Sequence, residues 1–143
     1  MIINNNNWKK FSVFAHYLTN STTAKANKID NDCLLYQANN GLKLWHILFN
    51  GLTIKFEFQC TINSFYRNKE LNKLVKGVET SHHRSGHALD LNVRLMKNQL
   101  EVYEYLCSMD CFEEVFYYKL KGFIHVAYIE NSKIRQYAIN HTK

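Results

Sequence analysis

Ser81-His82-His83-Arg84-Ser85-Gly86-His87-Ala88-Leu89-Asp90-Leu91-Asn92-Val93 is a polar loop that turns into a strand. Up to His87 the stretch is Ser, His, Arg and Gly. From Ala88 onward Leu89, Leu91 and Val93 alternate with Asp90 and Asn92, the period of two expected of a half-buried strand. With the leucines turned to a core, Asp90 projects from the opposite face. Phe123-Ile124-His125-Val126-Ala127-Tyr128 follows the same logic: Ile124, Val126 and Tyr128 share one side and His125 projects from the other. Two neighbouring strands of this kind aim Asp90 and His125 into one cleft, with His83 descending from the loop.

Histidines at 82, 83 and 87 beside an acidic residue make this segment a metal-site candidate. Two histidines and one carboxylate leave the open position that distinguishes catalytic from structural zinc. On spacing alone, an ordinary half-buried strand histidine and a solvated loop explain the same residues, and both readings stand at this level.

Working outward, Asn31-Asp32 offers an N-cap to a helix whose apolar face is Leu35, Ala38, Leu42, Trp45 and Phe49, closed by Asn50-Gly51. Residues 53–62 alternate as a strand, 68–75 form a short helix, and 98–107 form a helix with Leu100, Tyr103 and Cys107 on one face. Residues 115–120 and 123–129 are strands joined across Lys121-Gly122 as a hairpin. Residues 11–18 read as a small element ended by the polar cluster 20–23, after an Asn-rich lead. The order helix, strand, helix, strand, helix, hairpin predicts one α+β domain, with helices packed on a small, mainly antiparallel sheet.

The 143 residues are 46% hydrophobic, enough for one core. No stretch approaches the roughly 20 apolar residues of a transmembrane helix, and the N-terminus lacks the basic-then-apolar order of a signal peptide. The net charge of +6 is dispersed, which reads as a basic solvated surface and not as a nucleic-acid site. Cys33, Cys60, Cys107 and Cys111 are too far apart for paired CxxC knuckles and read as reduced thiols, Cys107 and Cys111 sharing a helix face.

Ser81-x-His83-x-x-Gly86-x-Ala88-x-Asp90 resembles the SxHxxGxAxD signature of the M15 zinc peptidases, the D-alanyl-D-alanine carboxypeptidases and related phage endolysin domains. The resemblance extends to Ser64-Phe65-Tyr66-Arg67-Asn68-Lys69-Glu70-Leu71-Asn72 (SGYRSxxLN), Lys76-Gly77-Val78 (GGV), Phe112-Glu113-Glu114-Val115-Phe116-Tyr117 (FDQLIY) and Phe123-Ile124-His125-Val126-Ala127 (W-[IV]-H-V-S). Ser21-Thr22-Thr23-Ala24 and Ile29-Asp30-Asn31 are similar to the STA and IDN stretches of the M15A C-terminal-like subgroup.

The resemblance implies a hedgehog/DD-peptidase-like domain over residues 11–137, between a flexible lead (1–10) and a tail (138–143). It implies Zn2+ held by His83, Asp90 and His125, with Arg67 pairing a substrate carboxylate and Ser81 holding the loop or touching substrate. Gly86 and Ala88 would be small to spare the ligand loop. The implied reaction is amide hydrolysis in the peptide stem of peptidoglycan, by a D,D-carboxypeptidase or endopeptidase of phage-related cell-wall lysis, acting as a monomer. Such a chain would be synthesised in the cytoplasm and reach the wall after release, or ride in a virion. The sequence departs from the pattern at Tyr118 and Gly122, where relatives carry a glutamate seven or three residues before the last histidine, and at Phe65 and Ala127. The general base is therefore unassigned among Glu113, Tyr118, His82 and His87. The alternative is a zinc-binding structural or virion protein on the same fold.

Overall fold

Five strands, β1 (Thr61–Ser64), β2 (Ala88–Asn92), β3 (Glu114–Tyr118), β4 (Phe123–Ala127) and β5 (Gln136–Asn140), pair in the order β1-β2-β4-β3-β5. The computed structural model describes residues 1–56 and 61–142. Every pairing is antiparallel except β3 with β5. Helices α1 (Ala15–Thr19), α2 (Thr22–Ala26), α3 (Leu35–Lys55), α4 (Lys69–Leu74) and α5 (Gln99–Ser108) complete an α+β domain. Among the described residues no helix is long and apolar enough to cross a membrane.

The alternation read in β2 and β4 sets the two faces of the sheet. Leu89 pairs with Val126 and Leu91 with Ile124, and all four are fully buried. Val115 and Tyr117 of β3 continue those rows. They join one core with Leu44, Leu48 and Leu52 of α3 and Val102 and Leu106 of α5. Residues of opposite parity form the other face, where Asp90, His125 and Phe116 stand abreast on three adjacent strands. The hairpin turns as expected, with Gly122 at φ +71° and its N–H donating to the Tyr118 carbonyl.

Several elements differ from their reading in sequence. Helix α3 begins at Leu35, where the Gln37 side chain accepts from the Leu34 N–H, and not at a cap on Asn31-Asp32. Asn31 is buried instead: its amide donates to the Thr19 and Tyr66 carbonyls and accepts from the Asn68 N–H. The helix runs through Gly51 to Lys55, because Gly51 is a packing site; a Cβ there would lie 2.9 Å from Met109 Cε. Its inner side is Ala38, Gly41, Leu44, Leu48 and Leu52, while Leu42 and Phe49 are over a third exposed. Apolar residues at helical spacing occur on both sides, and the glycines mark the close one. Residues 53–55 are thus helical and 61–62 belong to β1, while positions 57–60 of the expected 53–62 strand lie outside the described residues.

The inner face of α5 is Val102 and Leu106, with Leu100 half exposed. Cys111 lies past the end of that helix, so Cys107 and Cys111 do not share its face. Residues 11–18 are not one element: a 3-10 turn spans Trp8–Phe11, then α1 follows. The Ser/Thr cluster opens α2, the Ser21 hydroxyl accepting from the Ala24 N–H. Within the lead, Trp8 is buried and its indole N–H donates to the Cys33 carbonyl. Cys33, Cys107 and Cys111 are free thiols. Strand β5 alternates only briefly, Tyr137 and Ile139 flanking Ala138, and it adds to the sheet edge beside β3 with exposed or half-exposed side chains.

Candidate metal centre

Register brings the first two site residues together: Asp90 of β2 is the direct cross-strand partner of His125 of β4, and His125 Nδ1 lies 2.9 Å from Asp90 Oδ1. His83 arrives from a 3-10 turn, His82–Ser85, that leads into β2. The Ser81 hydroxyl caps that turn by accepting from the His83 N–H, and Gly86 ends it at φ +80°. A Cβ on Gly86 would sit 2.2 Å from the Gln37 carbonyl oxygen, so its bareness lets the turn press on α3; the crowding is with that helix and not within the ligand loop. Gln37 and Asn40 of α3 donate to the Arg84 and Ser85 carbonyls and pin the turn.

The His83 ring is almost fully buried, and its Nδ1 is 2.6 Å from the Phe65 carbonyl oxygen. A carbonyl only accepts, so Nδ1 carries the hydrogen and Nε2 presents a lone pair. That Nε2 is buried without a hydrogen-bond partner among the described residues, 3.3 Å from Asp90 Oδ1. A lone pair facing a carboxylate at this distance calls for a cation between them. One potential ligand atom from each of His83, Asp90 and His125 lies within 4.8 Å of the others, so the group could hold a metal ion. The donor set fits one: two imidazoles and a carboxylate suit zinc and related divalent ions.

Burial would raise the Asp90 carboxyl, but the adjoining imidazoles, with the His125 hydrogen bond, hold it well below the usual carboxylate range. Burial would lower His125, but hydrogen bonds to Asp90 and Glu114 outweigh it and push the ring up to about 9. The site demands positive charge.

A family model described as Peptidase M15 matches residues 15–127, most of the chain and all of this cluster. The chain belongs to the M15 peptidase family. No curated protein matches it. M15 peptidases hydrolyse peptide bonds and are typically zinc-dependent, which agrees with the donor set found here.

In this M15 peptidase the cluster lies in a cleft of about 760 Å3 lined also by Arg67, Ser81, His82, Glu113, Glu114 and Tyr118. That volume is within the range of about 300–1,000 Å3 common for ligand sites. Arg67 donates its backbone N–H to the His83 carbonyl, which ties it to the same turn. Its Nε is buried without a partner among the described residues, and burial lowers its affinity for the proton, with Asp90 opposing.

The sequence-derived acid/base candidates separate in space. Glu113 is buried, accepts from the Ser132 hydroxyl at 2.6 Å and lies 3.3 Å from His82 Nε2. Tyr118 stacks on Phe123 at the cleft wall, and burial, then the charges of Asp90 and Glu114, raise its phenol. His87 is not brought to the cleft: it contacts the Ser85 hydroxyl and lines a separate hollow with Lys43 and Glu130. The residue that sequence reasoning passed over is Glu114, whose Oε2 lies 2.8 Å from His125 Nε2. Its signal was parity: with Val115 and Tyr117 facing the core, Glu114 must face the side of His125.

Proposed function

We propose that this M15 peptidase is a zinc enzyme that hydrolyses peptide bonds in bacterial peptidoglycan, as a D,D-carboxypeptidase or endopeptidase in phage-related cell-wall lysis. The observation that carries the reading is the unpartnered, buried Nε2 of His83 facing Asp90 and His125 on the floor of an open cleft. His83, Asp90 and His125 would hold the zinc. When bound, the metal supplies Lewis acidity to the scissile carbonyl and lowers the pKa of water.

The chain's own side chains do the rest. Arg67, which lines the cleft, pairs with a carboxylate of the peptide stem and fixes its register. Ser81 holds the His83 turn. His82 Nε2, between Glu113 Oε1 at 3.3 Å and Glu114 Oε1 at 3.6 Å, is the atom we assign to carry the proton toward the leaving amine. Tyr118 offers its phenol O–H from the cleft wall. The +6 net charge favours approach to an anionic wall, after release from the cell or from a virion.

Tyr118, at a position where relatives carry glutamate, favours a second reading: a zinc-binding structural protein without turnover. One experiment separates the two. Purified peptidoglycan is digested with wild type and with His125→Ala, and metal content is measured on both. The hydrolase reading expects about one zinc per chain and released peptides from wild type, and neither from the variant. Zinc without released peptide across several wall types replaces it with the structural reading.

A further inference from the structure

We infer that Glu114 is a positioning residue of the metal centre, holding the His125 ring in the orientation and tautomer that present Nδ1 to the cation. The inference rests on the metal reading above.

Each histidine of the cluster uses one ring nitrogen toward Asp90 and the other toward an acceptor elsewhere. For His83 the acceptor is the Phe65 carbonyl, at 2.6 Å from Nδ1. For His125 it is the Glu114 carboxylate, at 2.8 Å from Nε2. An ionised carboxylate only accepts, so Nε2 keeps its hydrogen toward Glu114, and Nδ1, 2.9 Å from Asp90 Oδ1, is the nitrogen left to present a lone pair to a cation. Outer carboxylates of this kind fix ligand rings and strengthen their donor atoms.

The sheet explains how Glu114 reaches. Phe116 is the direct cross-strand partner of His125 and stacks on its ring, with centroids 5.5 Å apart and planes 15° apart. Glu114 pairs in register with Ala127, two positions along β4 from His125, so its side chain crosses diagonally over a small neighbour to the ring edge. Phe116 thereby sets the plane of the imidazole and Glu114 sets which edge turns to Asp90. The other Glu114 oxygen lies 3.6 Å from His82 Nε2.

The test is zinc affinity, by chelator competition on purified wild type, Glu114→Gln and Glu114→Ala, with a thermal melt of each metal-free protein. A glutamine keeps an oxygen that accepts the Nε2 hydrogen; an alanine does not. Glu114→Ala is expected to bind zinc roughly 10- to 100-fold more weakly, with Glu114→Gln recovering most of that loss and the metal-free melts close together. Equal affinity in all three proteins overturns the inference while leaving the metal reading intact. An equal loss in both variants overturns it too, since the hydrogen bond would not be what matters. A wild type that takes up no zinc overturns the metal reading itself, and this inference with it.

Discussion

At the scale of single residues, the cluster depends on a carboxylate between two imidazoles. Replacing Asp90 by Asn keeps the shape but removes the charge that His83 Nε2 and His125 Nδ1 face. The expected outcome is zinc content well below one per chain and peptidase activity down by about a hundredfold or more, read by metal analysis and product release. Cys33 tests burial elsewhere. Burial, only partly offset by the nearby Lys9 charge, pushes its thiol from 9.0 up to about 11. Folding therefore favours the protonated thiol: that stabilisation is fully present below pH 9 and is lost as pH rises toward about 11. The folded chain is expected to resist iodoacetamide at Cys33 at pH 8 and to react once unfolded, read by peptide mass mapping. Fast labelling of Cys33 in the folded state would contradict the buried placement.

At the scale of elements, the site is delivered by short segments anchored to longer ones. The His83 turn is pressed on α3 at Gly86, where both the positive φ and the 2.2 Å approach of a Cβ to a backbone carbonyl exclude a side chain. Gly86→Ala is expected to destabilise the fold by about 1–3 kcal/mol and to weaken zinc binding, because the turn must lift from α3. Urea denaturation and zinc titration check the two effects. Asn31 anchors the other side of the cleft: its three hydrogen bonds join the end of α1, the Tyr66 carbonyl beside Arg67 and the N-cap of α4. Asn31→Ala leaves two carbonyls and an N–H without that partner, and is expected to lower stability on the order of 3 kcal/mol. The strands that carry Asp90 and His125 were legible because alternation fixes which side chains face out. The bounds of α3 were not, since Gly51 stops a helix in isolation but here receives Met109. Strand β5 was hidden for another reason: its alternation is only Tyr137-Ala138-Ile139, too short to stand out, and its side chains stay exposed or half-exposed at the sheet edge.

At the scale of the whole molecule, the proposed metal joins parts distant in the chain: a turn at 83, a strand at 90 and a strand at 125. Those positions could be named from sequence because their motifs are local. Glu114 and the separation of His87 from the cleft could not, since they depend on which strands lie side by side. A cation bound only by the folded form stabilises it by mass action, about 2.7 kcal/mol when free zinc is a hundred times its dissociation constant. For a domain of this size that raises the melting temperature on the order of 8 °C. The expected result is a zinc-dependent rise in Tm for wild type that a chelator reverses. His83→Ala should melt at one temperature with or without zinc, since it removes the buried lone pair but none of the surface where a cation could bind loosely. If His83→Ala shows the same zinc-dependent rise as wild type, the stabilising ion sits elsewhere and the cleft is not its site.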